Sequence, residues 1–226
     1  MTLSKITTVI INHFDILAPL VALAFVLCRK NRRLGEHICI VVYLCAQLLI
    51  NGTAKYWMYF HKNESNCFIY QINCCISVVI LSVYCLIKYL PAFSKPVYRV
   101  FYVSSVLIAL TSLGFLVYYE DNRVFNSHSF GFSALTISAY AVTYYYQRLL
   151  NPVIEKITYT RSFWFISGLF IYYSGSFFIF STYMVFTNLG NKHFSILWSI
   201  HNVIFLIMCI FISKGFLCKP SRQISS

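Results

Sequence analysis

Tyr43, Gln47, Asn51 and Lys55 stand four residues apart inside a segment that is otherwise apolar. Residues at that spacing share one face of an α-helix, so the row reads as a polar ladder ending in a cation. A second apolar segment, LWSIHNVIFLIMCIF (residues 197–211), holds His201 and Asn202 side by side. A third carries Asn12, Asp15 and Pro19 on one stripe. These residue types can do three things. A carboxylate and an ammonium can pair. Amides can donate and accept at once. An imidazole can exchange a proton near neutrality.

Such groups are costly in an apolar medium, so they are expected to face one another. Asp15 and Lys55 are each the one charge of their sign well inside an apolar block. They are expected to form an ion pair, with Gln47, Asn51, His201 and Asn202 lining the same polar interior. The plainest role for these six residues is interhelical hydrogen bonding that fixes register. The functional role is a site for a ligand, an ion or a proton. Gln71 and Asn73, and a stripe of Ser133, Thr136, Tyr140, Tyr144 and Gln147, add polarity on two further segments.

The elements that would position them are long apolar blocks. The chain has 226 residues, 59% hydrophobic and only 11% charged, whereas a soluble domain carries about a quarter charged residues. A helix crossing the roughly 30 Å hydrocarbon layer needs about 20 apolar residues. Seven blocks qualify, at 6–28, 37–60, 67–90, 97–119, 130–150, 162–187 and 193–213. The expected fold is therefore all-α: one transmembrane domain over residues 1–226, a bundle of seven helices. The first block is too long for a signal peptide and contains Asp15 and Pro19, so it is expected to remain as a span.

A net charge of +12 invites a nucleic-acid partner, but the charges alternate across the links. Arg29, Lys30, Arg32, Arg33, Lys88, Lys95, Arg99, Arg148, Lys156, Arg161, Lys214, Lys219 and Arg222 fall on one side. Lys5, Lys62, Arg123 and Lys192 fall on the other, with Lys55 inside a block. Basic links mark the cytoplasmic face. The N-terminus is thus expected outside and the C-terminus in the cytoplasm of a plasma or bacterial inner membrane. The lipid bilayer, not a nucleic acid, is the partner this charge implies.

The nine cysteines lie mostly within blocks or near the inner face, and no CxxC or Cys/His cluster indicates zinc. The last block has no central lysine for a retinal Schiff base; its lysine, Lys214, is at the end. No HExxH motif is present. No cofactor, metal or enzymatic activity is expected. The sixth block, FWFISGLFIYYSGSFFIFSTY, repeats small residues every seven positions, including Gly168 and Gly175. Small residues let a neighbouring backbone approach, either a helix of the same chain or, as a homodimer face, a second copy.

The stretches FWFISGLFIYYSGSFFIF and LWSIHNVIF resemble segments of uncharacterised small seven-helix membrane proteins of Bacteroidetes-type bacteria. Some of those look like stand-alone relatives of sensor-kinase membrane modules. The resemblance covers about the last third of the chain and brings no catalytic residues. It implies a sensory accessory acting through a separate chain, such as a sensor kinase. A small transporter or channel for a polar solute or proton is the alternative expectation, and an intramembrane enzyme the third.

Overall fold

The computed structural model describes residues 11–28, 34–61, 65–88, 95–118, 127–150, 157–188 and 194–218. These form seven α-helices: α1 (Phe14–Cys28), α2 (Leu34–Phe60), α3 (Cys67–Lys88), α4 (Lys95–Tyr118), α5 (Ser127–Leu150), α6 (Arg161–Asn188) and α7 (Phe194–Leu217). A single 3-10 turn, Ile157–Tyr159, precedes α6. No strand occurs among the described residues. Prolines punctuate the ends as their chemistry requires. Pro96 lies in the first turn of α4, where its missing N–H costs nothing. α5 is described as far as Leu150, and the sequence continues with Asn151-Pro152, the kind of pair at which helices usually end.

Each helix packs on its neighbours in chain order, and α7 closes the ring against α1; α3 also reaches across to α5. The tightest seam joins α6 to α7. At Gly168 an added Cβ would stand 2.9 Å from Phe211 Cβ and 3.2 Å from the Met208 carbonyl. At Gly175 it would stand 2.8 Å from Ile204 Cδ1. The small-residue repeat of α6 is therefore used within the chain at both glycines. Both glycines face α7 of the same chain.

Four helices are long and apolar enough to cross a membrane, over Ile38–Phe60, Cys67–Tyr84, Arg161–Tyr183 and Ile196–Leu217. The apolar stretches of α1 and α4 are shorter, Phe14–Cys28 and Tyr98–Thr111, and α5 is interrupted by serines, threonines and tyrosines. The outer surface carries large apolar side chains on every helix, among them Leu49 at 71%, Val100 at 67%, Leu149 at 79% and Phe178 at 67% exposure. Soluble proteins rarely present apolar patches that extensive, and helices apolar all round belong in hydrocarbon or a deep core. The chain has the surface of a membrane protein. Most of the basic residues behind the expected orientation (Lys5, Arg29, Lys30, Arg32, Arg33, Lys62, Arg123, Lys156, Lys192, Lys219 and Arg222) lie outside the described residues.

Alternating helix direction sorts the interior into two halves. One end of the ring is filled by Val26, Ile40, Leu81, Phe165, Ile212 and Phe216, with Tyr84 set edge-on to Phe165 at 4.7 Å. The other end is polar.

The α6–α7 seam generates a prediction. Gly168→Ala meets backbone that cannot move independently and should cost about 1–3 kcal/mol, the usual range for overpacking. Gly175→Ala meets only the tip of Ile204, which can turn aside, so its thermal unfolding temperature should fall much less. Unfolding curves of the two purified variants check this. Equal losses would place the close backbone approach elsewhere.

Candidate functional site

The site begins with a backbone defect in α1. Pro19 has no N–H, so the Asp15 carbonyl one turn earlier loses its helical donor. Asn51 of α2 replaces it: its Nδ2 donates to the Asp15 carbonyl at 3.0 Å. The two carbonyls preceding α1 are treated alike. Lys55 Nζ donates to the Asn12 carbonyl at 2.6 Å, and Asn202 Nδ2 of α7 donates to the Ile11 carbonyl at 3.3 Å. Three side chains from two other helices thus complete the start of α1.

Lys55 also makes the charge pair. Its Nζ lies 2.5 Å from Asp15 Oδ1, with Asp15 buried and the Lys55 side chain 28% exposed. Antiparallel α1 and α2 bring the start of one beside the end of the other, which sets both charges at one level.

Two hydrogen-bonded clusters flank the pair. Gln47 Nε2 donates to Asn73 Oδ1 at 2.9 Å and to Ser77 Oγ at 2.9 Å. Asn73 Nδ2 returns a bond to Gln47 Oε1 at 3.2 Å. On the α7 side, His201 lies with Nε2 3.2 Å from the Tyr172 hydroxyl and Nδ1 3.3 Å from Ser176 Oγ. The rings of Tyr172, Phe180 and Trp198 surround it with centroids 5.2, 5.2 and 5.4 Å away. Both imidazole nitrogens therefore face hydroxyls, which can donate or accept and so suit either tautomer.

These groups wall a cavity of about 30 Å³, bounded by Asp15, Gln47, Asn51, His201 and Asn202 together with Tyr70, Asn73, Phe130, Tyr172, Phe180, Trp198 and Phe205. A second cavity of similar volume lies alongside, sharing Gln47, Asn73, Phe130, Tyr172 and Phe180 and reaching Cys74, Ser77, Ser133 and Ser176. Each has room for a guest or two the size of water. Below them the interior closes. The Tyr43 hydroxyl lies 3.2 Å from that of Tyr173 and 3.8 Å from Met208 Sδ, above the packed residues Leu44, Val78 and Leu169.

Five of the six expected site residues share one cavity wall, and the sixth, Lys55, joins through its bond to Asp15. The α5 stripe divides. Ser133 stands 2.9 Å from Cys74 Sγ in the second cavity, whereas the Tyr140 hydroxyl donates to the Phe101 carbonyl at 3.3 Å and Tyr144 belongs to the apolar core. Gln71 is buried but lines neither cavity. Tyr172 and Ser176 on α6 escaped the sequence reading. Their four-residue spacing was the available signal, masked by the aromatic and small residues around it. Tyr70 and Trp198, edge-on at 5.1 Å, were likewise hidden among many aromatics. Among the described residues, no group of three or more His, Cys, Asp or Glu side chains is placed to hold a metal ion.

Set against family models, curated proteins and solved structures, the chain matches none of them. What the cavity does must be argued from its geometry.

The pair makes an asymmetric prediction. Lys55→Met strands a buried carboxylate and should cost about 3–5 kcal/mol, the range for an orphaned buried charge. Asp15→Asn leaves an ammonium with a path to water, so its loss should be nearer about 1 kcal/mol. The double variant should recover part of the Lys55→Met loss. Thermal unfolding of the three proteins in one detergent checks the order, and a double variant as unstable as the sum of its parts would contradict the coupling.

Proposed function

We propose that this protein is a seven-span membrane sensor or signalling accessory whose polar cavity receives a small polar input from outside the cell, and which acts through a separate partner chain. The observation that carries this reading is the one-sidedness of the interior. Polar groups from α1, α2, α3, α5, α6 and α7 gather in one half of the ring, and Tyr43, Tyr173 and Met208 floor them above an apolar plug. Transport requires access to a central site from both faces in turn. A pocket that ends on a packed floor is better suited to holding a guest and passing on its presence through helix packing.

The α6–α7 seam supports the same reading. His201 of α7 is held by Tyr172 and Ser176 of α6, and Gly175 beside Ser176 leaves room for the Ile204 side chain of α7. A guest that alters His201 or Asn202 therefore bears on the tightest seam in the bundle. From there the packing runs to the far end of α7, which the charge pattern sets in the cytoplasm. The plasma or bacterial inner membrane is the corresponding location. The resemblance of the α6 and α7 stretches to small seven-helix membrane proteins, some of which look like stand-alone relatives of sensor-kinase membrane modules, favours a kinase-like partner.

Three measurements test this. Reporter fusions should give a cytoplasmic signal at residues 29–33 and an external one at residues 62–64; the opposite pattern overturns the orientation. The purified protein in proteoliposomes should pass no more solute or protons than empty vesicles. It should also recover a signalling protein when captured from its native membrane. Solute or proton flux abolished by Asn202→Leu would replace the sensor with a transporter.

A further inference from the structure

The direction of the cavity's amides identifies what it accepts. Asn51 and Asn202 are 6% and 1% exposed, and each has turned its NH2 end to a backbone carbonyl of α1. A carbonyl accepts and cannot donate, so this fixes which end of each amide is nitrogen. Their carbonyl oxygens are consequently left on residues that wall the cavity, beside the Asp15 carboxylate. Among the described residues, the hydrogen bonds of both side chains run through nitrogen. Much of the remaining wall is aromatic. Oxygen acceptors and ring faces together ask for a guest that donates, and ring faces favour one that is cationic.

The chain already shows what such a guest looks like. The Lys55 ammonium lies on Asp15 Oδ1 and the Asn12 carbonyl, at the edge of this cavity. We propose that the cavity is a binding site for a small primary ammonium ion, ammonium itself or methylammonium, that takes over the Asp15 carboxylate when Lys55 turns to solvent. The partial exposure of the Lys55 side chain gives it that route, and the exchange leaves the net charge of the interior unchanged. The four N–H donors of ammonium match Asp15, the Asn51 and Asn202 oxygens and a ring face, and methylammonium keeps three of them for the oxygens. The volume of about 30 Å³ admits ammonium and excludes a quaternary amine. Bare alkali ions fit the wall poorly, since replacing their hydration shell takes a set of converging oxygens rather than aromatic faces. The inference rests on the cavity assigned above as the sensing site, but not on the existence of a signalling partner.

The test is chemical rescue of the full-length protein, purified in detergent. Melting temperatures of wild type and Lys55→Met are compared in ammonium, methylammonium, tetramethylammonium and sodium chlorides at equal ionic strength. Ammonium and methylammonium should raise the Tm of Lys55→Met by roughly 5–10 °C at near-saturating concentration. The wild type should gain less, because Lys55 competes. Tetramethylammonium and sodium should give neither effect. Trp198 fluorescence, read in a Trp57→Phe/Trp164→Phe background, should change saturably with the same order of salts. That titration decides the matter alone if Lys55→Met does not accumulate. Equal responses to all four salts, or no response, overturn the proposal and leave water as the occupant. Ammonium-specific rescue without any captured partner keeps the site and removes the sensor, and a captured partner without rescue does the reverse.

Discussion

A backbone carbonyl buried in a protein must find a donor, and the start of α1 presents three that are met by side chains. Pro19 removes the donor for Asp15, while Ile11 and Asn12 lie at the break before Phe14. Each finds a side chain instead: Asn51, Asn202 and Lys55 respectively. Much else follows from this need. It draws α2 and α7 onto either side of α1 and so closes the ring. It also spends the NH2 ends of two amides on the backbone, which turns their oxygens to the cavity. The acceptor-rich character of the pocket is a consequence of finishing α1.

The division of the interior into a polar and an apolar half has a similar origin. A polar group in low dielectric is stabilised by other polar groups and penalised when alone. Once Asp15 and Lys55 are drawn inside, Gln47, Asn73, Ser77, His201, Tyr172 and Ser176 gain by clustering near them. The opposite half is then free to pack Leu81, Phe165, Ile212 and Phe216 without polar partners. The result is a bundle with a wet end and a dry one, joined by the tyrosine pair Tyr43–Tyr173.

The α6–α7 seam couples the two halves. Gly168 lies against Phe211 and the Met208 carbonyl, within the apolar core, while Gly175 adjoins the residue that bonds His201. Both contacts depend on missing side chains, but only at Gly168 is the spacing of these helices set by backbone; at Gly175 it is set by the tip of Ile204. A close seam of this kind shifts as a unit, as packed interfaces do.

How much of this was legible in the chain itself depends on whether the physics is local or collective. Helix positions are local. Apolar run length and prolines at residues 96 and 152 place the described helices to within a few residues, while the start of the first block lies outside the described residues. The row Gln47, Asn51 and Lys55 is likewise local, because four-residue spacing fixes a helix face. Pairing Asp15 with Lys55 needed only the scarcity of buried charge and opposite helix directions. The tertiary structure alone could decide which atoms meet. That Asn51 completes the Pro19 defect, that α7 packs on Gly168 and Gly175, and that Tyr172 and Ser176 hold His201 are all facts of helix rotation. Rotation is set by the summed packing of every neighbour, and in a chain with aromatic residues on every helix face no single position declares it.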